Sequence, residues 1–240
     1  MKKLFFTITI CLFSLSLLSQ SCLPDGIEFT TQEQIDSFPI NHPDCNEIEG
    51  YVTIQGDDIT NLNGLNVLTS IAGILKIAGN SDLTCLVGLE NLISIGGSFW
   101  VGGPFIFNGN PSLTNLSGLE SLLSVGGDIQ IGFNQALTSL AGLESLAHIE
   151  GNLSFGFNTP GSNNPALTTL TGLQGLTSIG GDINIGGCDA LTSLTGLEGL
   201  TSIAGDLSVS DNDALTTLTG LDGLTSIGGR IYIGGNDALT

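Results

Sequence analysis

Residues 212–235 read NDALTTLTGLDGLTSIGGRIYIGG, and much of the chain consists of copies of this stretch. Leucine or isoleucine stands at Leu215, Leu218, Leu221, Leu224, Ile227, Ile231 and Ile233, so steps of three dominate and a step of two closes the stretch. A helix wants steps of three and four in alternation, because an unbroken step of three walks the apolar stripe around its surface. A coil that turns a corner every few residues instead points one leucine inward at each corner. Its last pair, Ile231 and Ile233 about Tyr232, alternates as a short strand does. The stretch is read as one turn of a solenoid.

Working outward, one marker residue follows each strand, at Asn80, Asn110, Asn134, Asn164, Cys188, Asn212 and Asn236. The steps are 30, 24, 30, 24, 24 and 24, so coils of 24 residues recur and two carry insertions of six. An asparagine amide at this place can bond its own bend and the neighbouring coil, satisfying backbone groups that a buried turn leaves unpaired. These seven residues are expected to form a structural ladder, with Cys188 as a small buried thiol and not a nucleophile. Glycine recurs eight residues after the markers, at Gly88, Gly118, Gly142, Gly172, Gly196 and Gly220. Another follows each Ile or Val corner by two residues, from Gly73 and Gly97 to Gly229. A glycine needed at one point in every turn signals positive φ or an approach too close for a Cβ.

The chain has 240 residues and 35 glycines, far above the ~7% of an ordinary globular domain. Lys2 and Lys3, an apolar run over residues 4–18 and the small or polar Ser19-Gln20-Ser21 make residues 1–21 a secretory signal peptide. That run is shorter than the ~20 residues a bilayer span needs, and no transmembrane segment is expected elsewhere. Beyond the leader only Lys76 and Arg230 stand against 23 acids, which excludes nucleic acid as a partner because phosphate contacts need a basic surface.

Cysteine use has two readings. Export makes a Cys22–Cys45 disulfide chemically reasonable. Alternatively, Cys22 after Leu18-Ser19-Gln20-Ser21 resembles a bacterial lipoprotein acceptor, although Ser19 stands where such motifs carry an aliphatic residue. Residues 22–48 are expected to cap the apolar end of the first coil, as solenoids require. Thr30-Thr31-Gln32-Glu33 reads as a capping box with Thr30 as N-cap, opening a short helix over about residues 31–38 that ends before Pro39. The first strand of the repeat region, residues 51–54, then turns Val52 and Ile54 inward.

The pattern L-x-x-L-x-G-L-x-x-L-x-S-I-x-G-x-L-x-I-x-x-N over residues 191–212 resembles the leucine-rich repeat superfamily with its Asn or Cys ladder. More closely it is similar to the receptor L domain, the leucine-rich-repeat-like right-handed β-helix of growth-factor receptor ectodomains, and to bacterial surface proteins with the same repeat. The resemblance covers about residues 49–240. It implies an all-β solenoid of about 24-residue coils, a parallel strand row and a short N-terminal capping helix. It also implies a secreted or cell-surface, non-enzymatic recognition or adhesion module, with a structural spacer as the alternative. The cysteine-rich modules that follow receptor L domains are missing, and the chain stops within a coil at Thr240, so a longer parent protein is expected.

Catalysis finds little support in the residues. His42 lies in the cap and His148 at a variable corner, without a partner at a recognisable spacing. No cofactor and no His/Cys metal cluster is expected. Gly126-Gly127-Asp128 and Gly180-Gly181-Asp182 touch on calcium-binding nonapeptide repeats, but the period is 24 and the second Gly-x-Asp is missing; isolated sites near Asp211 and Asp213 are the remaining option. Thr169 and Thr171, Ser193 and Thr195, and Thr217 and Thr219 flank inward leucines in two hydroxyl columns that resemble those of ice-binding solenoids. Earlier coils break the columns, and the β-propensity of threonine explains them more simply.

The sharper candidate is the outward row of the strands: Thr53, Lys76, Trp100, Gln130, Ser154, Asn184, Ser208 and Tyr232. Trp100 is the sole tryptophan. The two insertions, around Gly103-Pro104-Phe105-Ile106-Phe107 and residues 157–162, emerge about 10 Å apart on one edge if coils stack at ~4.8 Å. Phe133 lies between them. Trp100, Phe105, Phe107, Phe133 and Phe157 therefore either present an aromatic anchor for a protein or glycan, or are buried where the two loops fold over each other.

Overall fold

The computed structural model describes residues 21–103, 109–156 and 163–240. Two parallel strand rows run through it, each of nine strands joined only to the strand one coil before and one coil after. Expected was a single row. The second is built from two-residue strands, Ser21–Cys22, Glu47–Ile48, Ser70–Ile71, Ser94–Ile95, Ser124–Val125, His148–Ile149, Ser178–Ile179, Ser202–Ile203 and Ser226–Ile227. The row read from the sequence comprises Ile27–Phe29, Val52–Ile54, Leu75–Ile77, Phe99–Val101, Ile129–Ile131, Leu153–Phe155, Ile183–Gly186, Leu207–Ser210 and Ile231–Gly234. One row begins at Ser21, the last residue assigned to the leader, and the other at Ile27, inside the segment assigned to the cap, so the cap already contributes strands to the stack.

Between the rows the chain turns at leucine corners. In the coil that follows Asn134, Leu137, Leu140, Leu143, Leu146, Ile149, Leu153 and Phe155 are all buried. Neighbouring coils repeat the set, which makes one continuous aliphatic core. Its energetic source is apolar burial, on the order of 1.5–3 kcal/mol for each fully buried side chain. The last described coil is less covered: Leu218, Leu221, Leu224 and Ile227 are partly buried, and Ile231 and Ile233 are exposed.

The glycine positions resolve into two kinds. Gly142 has φ +115°, and a Cβ there would collide with the carbonyl of Leu116 in the preceding coil. Positive φ and close approach thus act together at this corner. Gly127 has no unusual φ, yet a Cβ would lie 2.9 Å from the backbone carbon of Gly97. Coil-to-coil distance alone selects glycine at the second place.

The cap helix corrects the register expected for it. It spans Gln32–Asn41, Thr31 is the N-cap, and the capping box pairs Thr31 with Gln34 and not Thr30 with Glu33. Gln34 Oε1 accepts from the Thr30 and Thr31 amides at 2.6 and 3.2 Å, and the Gln34 amide donates to Thr31 Oγ1 at 3.4 Å. Pro39 sits inside the helix instead of ending it. Proline removes one amide, and the Ile35 carbonyl that it leaves without a helical donor packs against Gly64, where a Cβ would collide with it. The turn resumes with the His42 amide donating to Phe38 O at 2.9 Å. Ile35 and Phe38 are buried against the core. Cys22 and Cys45 form a disulfide with Cα atoms 5.6 Å apart. A sulfur so engaged is not free for the thioether of a lipid anchor. Among the described residues no helix is long and apolar enough to cross a membrane.

Candidate functional site

The outward row is in register as read. Thr53 pairs with Lys76, Lys76 with Trp100, Trp100 with Gln130, and the column continues through Ser154, Asn184 and Ser208 to Tyr232. Trp100 is half-buried, and its Nε1 is buried without a hydrogen-bond partner. Tryptophan indoles usually find an acceptor when buried, so this donor is an exception that calls for an explanation. Lys76, one strand away, reaches Gln55 Oε1 at 3.5 Å.

Phe133 is only 7% exposed, with φ +62°. Phe105, Phe107 and Phe157 lie outside the described residues, so the structure places Trp100 and Phe133 alone of the five. Phe133 immediately precedes a ladder asparagine, and that place takes left-handed backbone in several coils: Gly79 at +71°, Gly187 at +63°, Asp211 at +56° and Gly235 at +68°. The position of Phe133 in the repeat therefore sets its conformation.

The ladder itself is as the markers imply. Asn80, Asn110, Asn134, Asn164 and Asn212 are buried. Asn134 shows the pattern: its Oδ1 accepts from the Asn110 amide at 3.2 Å and Asn110 Nδ2 at 3.1 Å, while its Nδ2 donates to Val101 O and Gly132 O at 3.0 Å each. Asn236, half-buried, accepts from the Asn212 amide at 3.1 Å. At Cys188 the backbone amide still donates to Asn212 Oδ1 at 3.0 Å. Its thiol lies in the core, and burial, with Asp189 adding to it, pushes the thiol up to about 12 from 9.0, while the Asn164 amide bonded to the sulfur pulls it down. A thiol so raised stays protonated and inert at neutral pH.

A second ladder escaped the sequence reading. Ser98 Oγ accepts from the Asp128 amide at 3.1 Å, Asp128 Oδ1 from Asn152 at 2.8 Å, Asn152 Oδ1 from Asp182 at 2.6 Å, Asp182 Oδ1 from Asp206 at 2.7 Å, and Asp206 Oδ1 from Arg230 at 2.6 Å. The signal was the residue after each paired corner glycine or its equivalent, which carries a short side-chain oxygen in five coils running. Asp128 and Asp182, weighed as calcium ligands, are thus occupied in joining coils. A third column caps the left-handed corners: the amides of Gly118, Gly142 and Gly196 donate to Glu120, Glu144 and Glu198 at 3.0, 2.9 and 2.9 Å.

Other candidates resolve similarly. His148 Nδ1 lies 2.8 Å from Ser178 Oγ, a contact hidden in the sequence because the two are 30 residues apart. Ser178 belongs to a column that holds serine at Ser70, Ser94, Ser124, Ser202 and Ser226, so the hydroxyl is a repeat feature that His148 happens to meet. Thr169 and Thr171, Ser193 and Thr195, and Thr217 and Thr219 bond within each pair at 2.8, 2.9 and 2.8 Å, which engages the hydroxyls of the threonine columns. Among the described residues no group of three His, Cys, Asp or Glu side chains stands ready for a metal.

Among the described residues, three cavities bear on ligand binding. One of about 230 Å³ lies between the cap helix and the Ile27–Phe29 strand, floored by Phe29 and Phe38. One of about 200 Å³ adjoins the disulfide. A third, of about 260 Å³, follows the edge of the ladder and is lined by Asp57, Ser81, Pro111, Phe133 and Gln135 over Gly79 and Gly109. The fold and these sites define a parallel β-solenoid whose variable features gather along the strand row and its adjoining edge. No protein-family model, curated protein or solved structure matches the chain.

Proposed function

We propose that this chain is a secreted or cell-surface, non-enzymatic recognition module of the receptor L-domain or leucine-rich-repeat type, binding a protein or glycan through its strand row. The observation that carries the reading is Trp100. It is a large aromatic on the outward column with a buried, unpaired Nε1, and tryptophan is among the residues most enriched at binding hot spots. Beyond the leader, 23 Asp and Glu against Lys76 and Arg230 favour neutral or cationic partners over anionic ones.

The test is binding to printed arrays of extracellular proteins and glycans. Signal above background that Trp100→Ala removes supports the reading. Signal that survives Trp100→Ala, or none at all, refutes it.

A structural spacer is the second reading, favoured by the uniform coils after Ala166. Deleting residues 188–211, one full period between two ladder places, separates the two. A spacer is altered by the loss of ~4.8 Å of length, whereas recognition at Trp100 is retained.

A further inference from the structure

Two columns flank the ladder. Ser81, Pro111 and Gln135 follow Asn80, Asn110 and Asn134, and Asp57 follows Gly56, which holds the ladder place one coil earlier because its amide donates to Asn80 Oδ1 at 3.0 Å. Gly79, Gly109 and Phe133 precede the same asparagines. Between the columns lies the cavity of about 260 Å³. That is below the ~300–1,000 Å³ of drug-sized pockets and suits a single ring.

The cavity combines glycines that the place before the ladder calls for with side chains that it does not. Gly79, at φ +71°, and Gly109, where a Cβ would collide with the Phe133 backbone carbonyl, leave it open. Phe133 holds φ +62° at a place where Gly79, Gly187 and Gly235 stand in other coils and Asp211 in one. A bulky residue in left-handed backbone is strained, and such strain clusters at functional sites. Here it places an aromatic side chain as one wall of the cavity.

The lining selects a chemistry. No cationic side chain is present, so an anion finds no partner, and a single carboxylate is too few for a metal. Ser81 Oγ donates to Asp57 Oδ1 at 3.3 Å and steadies that carboxylate at the rim. Gln135 supplies both an amide donor and an acceptor. Phe133 and Pro111 supply apolar surface. Carboxylate, amide and hydroxyl around an aromatic wall match a molecule with many hydroxyls and an apolar C–H face.

We infer that this groove, which Trp100 does not line, binds a neutral pyranose ring at a site separate from the Trp100 column of the recognition reading above. Saturation-transfer NMR on the protein with methyl α-D-mannopyranoside, methyl β-D-galactopyranoside and methyl β-D-glucopyranoside in turn tests it. At least one is expected to bind saturably with a dissociation constant on the order of 1 mM, as befits one small ring. Phe133→Gly is expected to weaken that binding by about tenfold or more and, because the ring is 7% exposed, to lower the melting temperature as well, whereas Gln135→Ala at the exposed rim is expected to weaken binding at an unchanged melting temperature. Asp57→Asn, which removes a charge-assisted acceptor, is expected to weaken it as well. Absence of saturable transfer from all three glycosides overturns the inference, as does unchanged binding in Phe133→Gly. If no glycoside binds while array signal still depends on Trp100, the carbohydrate assignment fails and the recognition reading stands.

Discussion

Replacing Cys188 by asparagine should stabilise the protein, because the ladder is interrupted there and nowhere else from Asn80 to Asn236. An asparagine in the slot can accept from the Asn164 amide and donate to backbone carbonyls, as Asn134 does with Val101 O and Gly132 O. Two or three net hydrogen bonds at about 0.5–1.5 kcal/mol each give roughly 1–4 kcal/mol. Six other coils hold asparagine in the same place, so overpacking should take little of this back.

The pH dependence gives the substitution a second signature. A thiol whose pKa is about 12 in the folded chain and 9.0 otherwise keeps its full contribution below pH 9, then destabilises the fold progressively as pH rises toward 12. At about 1.36 kcal/mol per pH step, the loss attributable to Cys188 approaches ~4 kcal/mol by pH 12. Urea denaturation of wild type and Cys188→Asn at a series of pH values reads both effects. The variant should have the higher midpoint at pH 7 and a difference that widens above pH 9. A lower midpoint at pH 7, with a pH-independent difference, would refute the ladder account of this position.

Other substitutions test other parts of the framework. Leu170→Ala, at a fully buried corner, should cost about 2–5 kcal/mol and lower and broaden the thermal transition; an unchanged transition would show that the leucine is not inside. Gly142→Ala should destabilise by more than the ~1 kcal/mol of a purely conformational penalty, because its Cβ meets the Leu116 carbonyl as well as an unfavourable φ, and calorimetry checks it. Thr31→Ala should lose about 1 kcal/mol of helix-cap stability in chemical denaturation and cost more than Thr30→Ala, the reverse of the order that a Thr30 cap requires.

What was legible in the sequence was what repeats with one residue type. Leucine corners, corner glycines and ladder asparagines are each nearly invariant from coil to coil, so their period and inward direction could be read directly. The second ladder was hidden because Ser98, Asp128, Asn152, Asp182 and Asp206 share an oxygen and not a residue type. The second strand row was missed because two residues such as Ser178 and Ile179 are too short to show alternation. At the cap, Thr30-Thr31 and Glu33-Gln34 offer two capping boxes one residue apart, and only the hydrogen bonds of Gln34 decide between them. Phe133 stood out by its type, and the sequence left open whether it is displayed or covered. Its place before Asn134 turns the backbone left-handed and leaves the ring 7% exposed beside the ladder-edge cavity, which periodicity alone does not reveal.

The measurement that bears most directly on the functional claim is a side-by-side array comparison of wild type, Trp100→Ala and the deletion of residues 188–211. The account predicts that wild type and the deletion mark the same spots and that Trp100→Ala loses them. Spots retained by Trp100→Ala, or lost on removing a uniform coil far from it, would contradict recognition at the strand row.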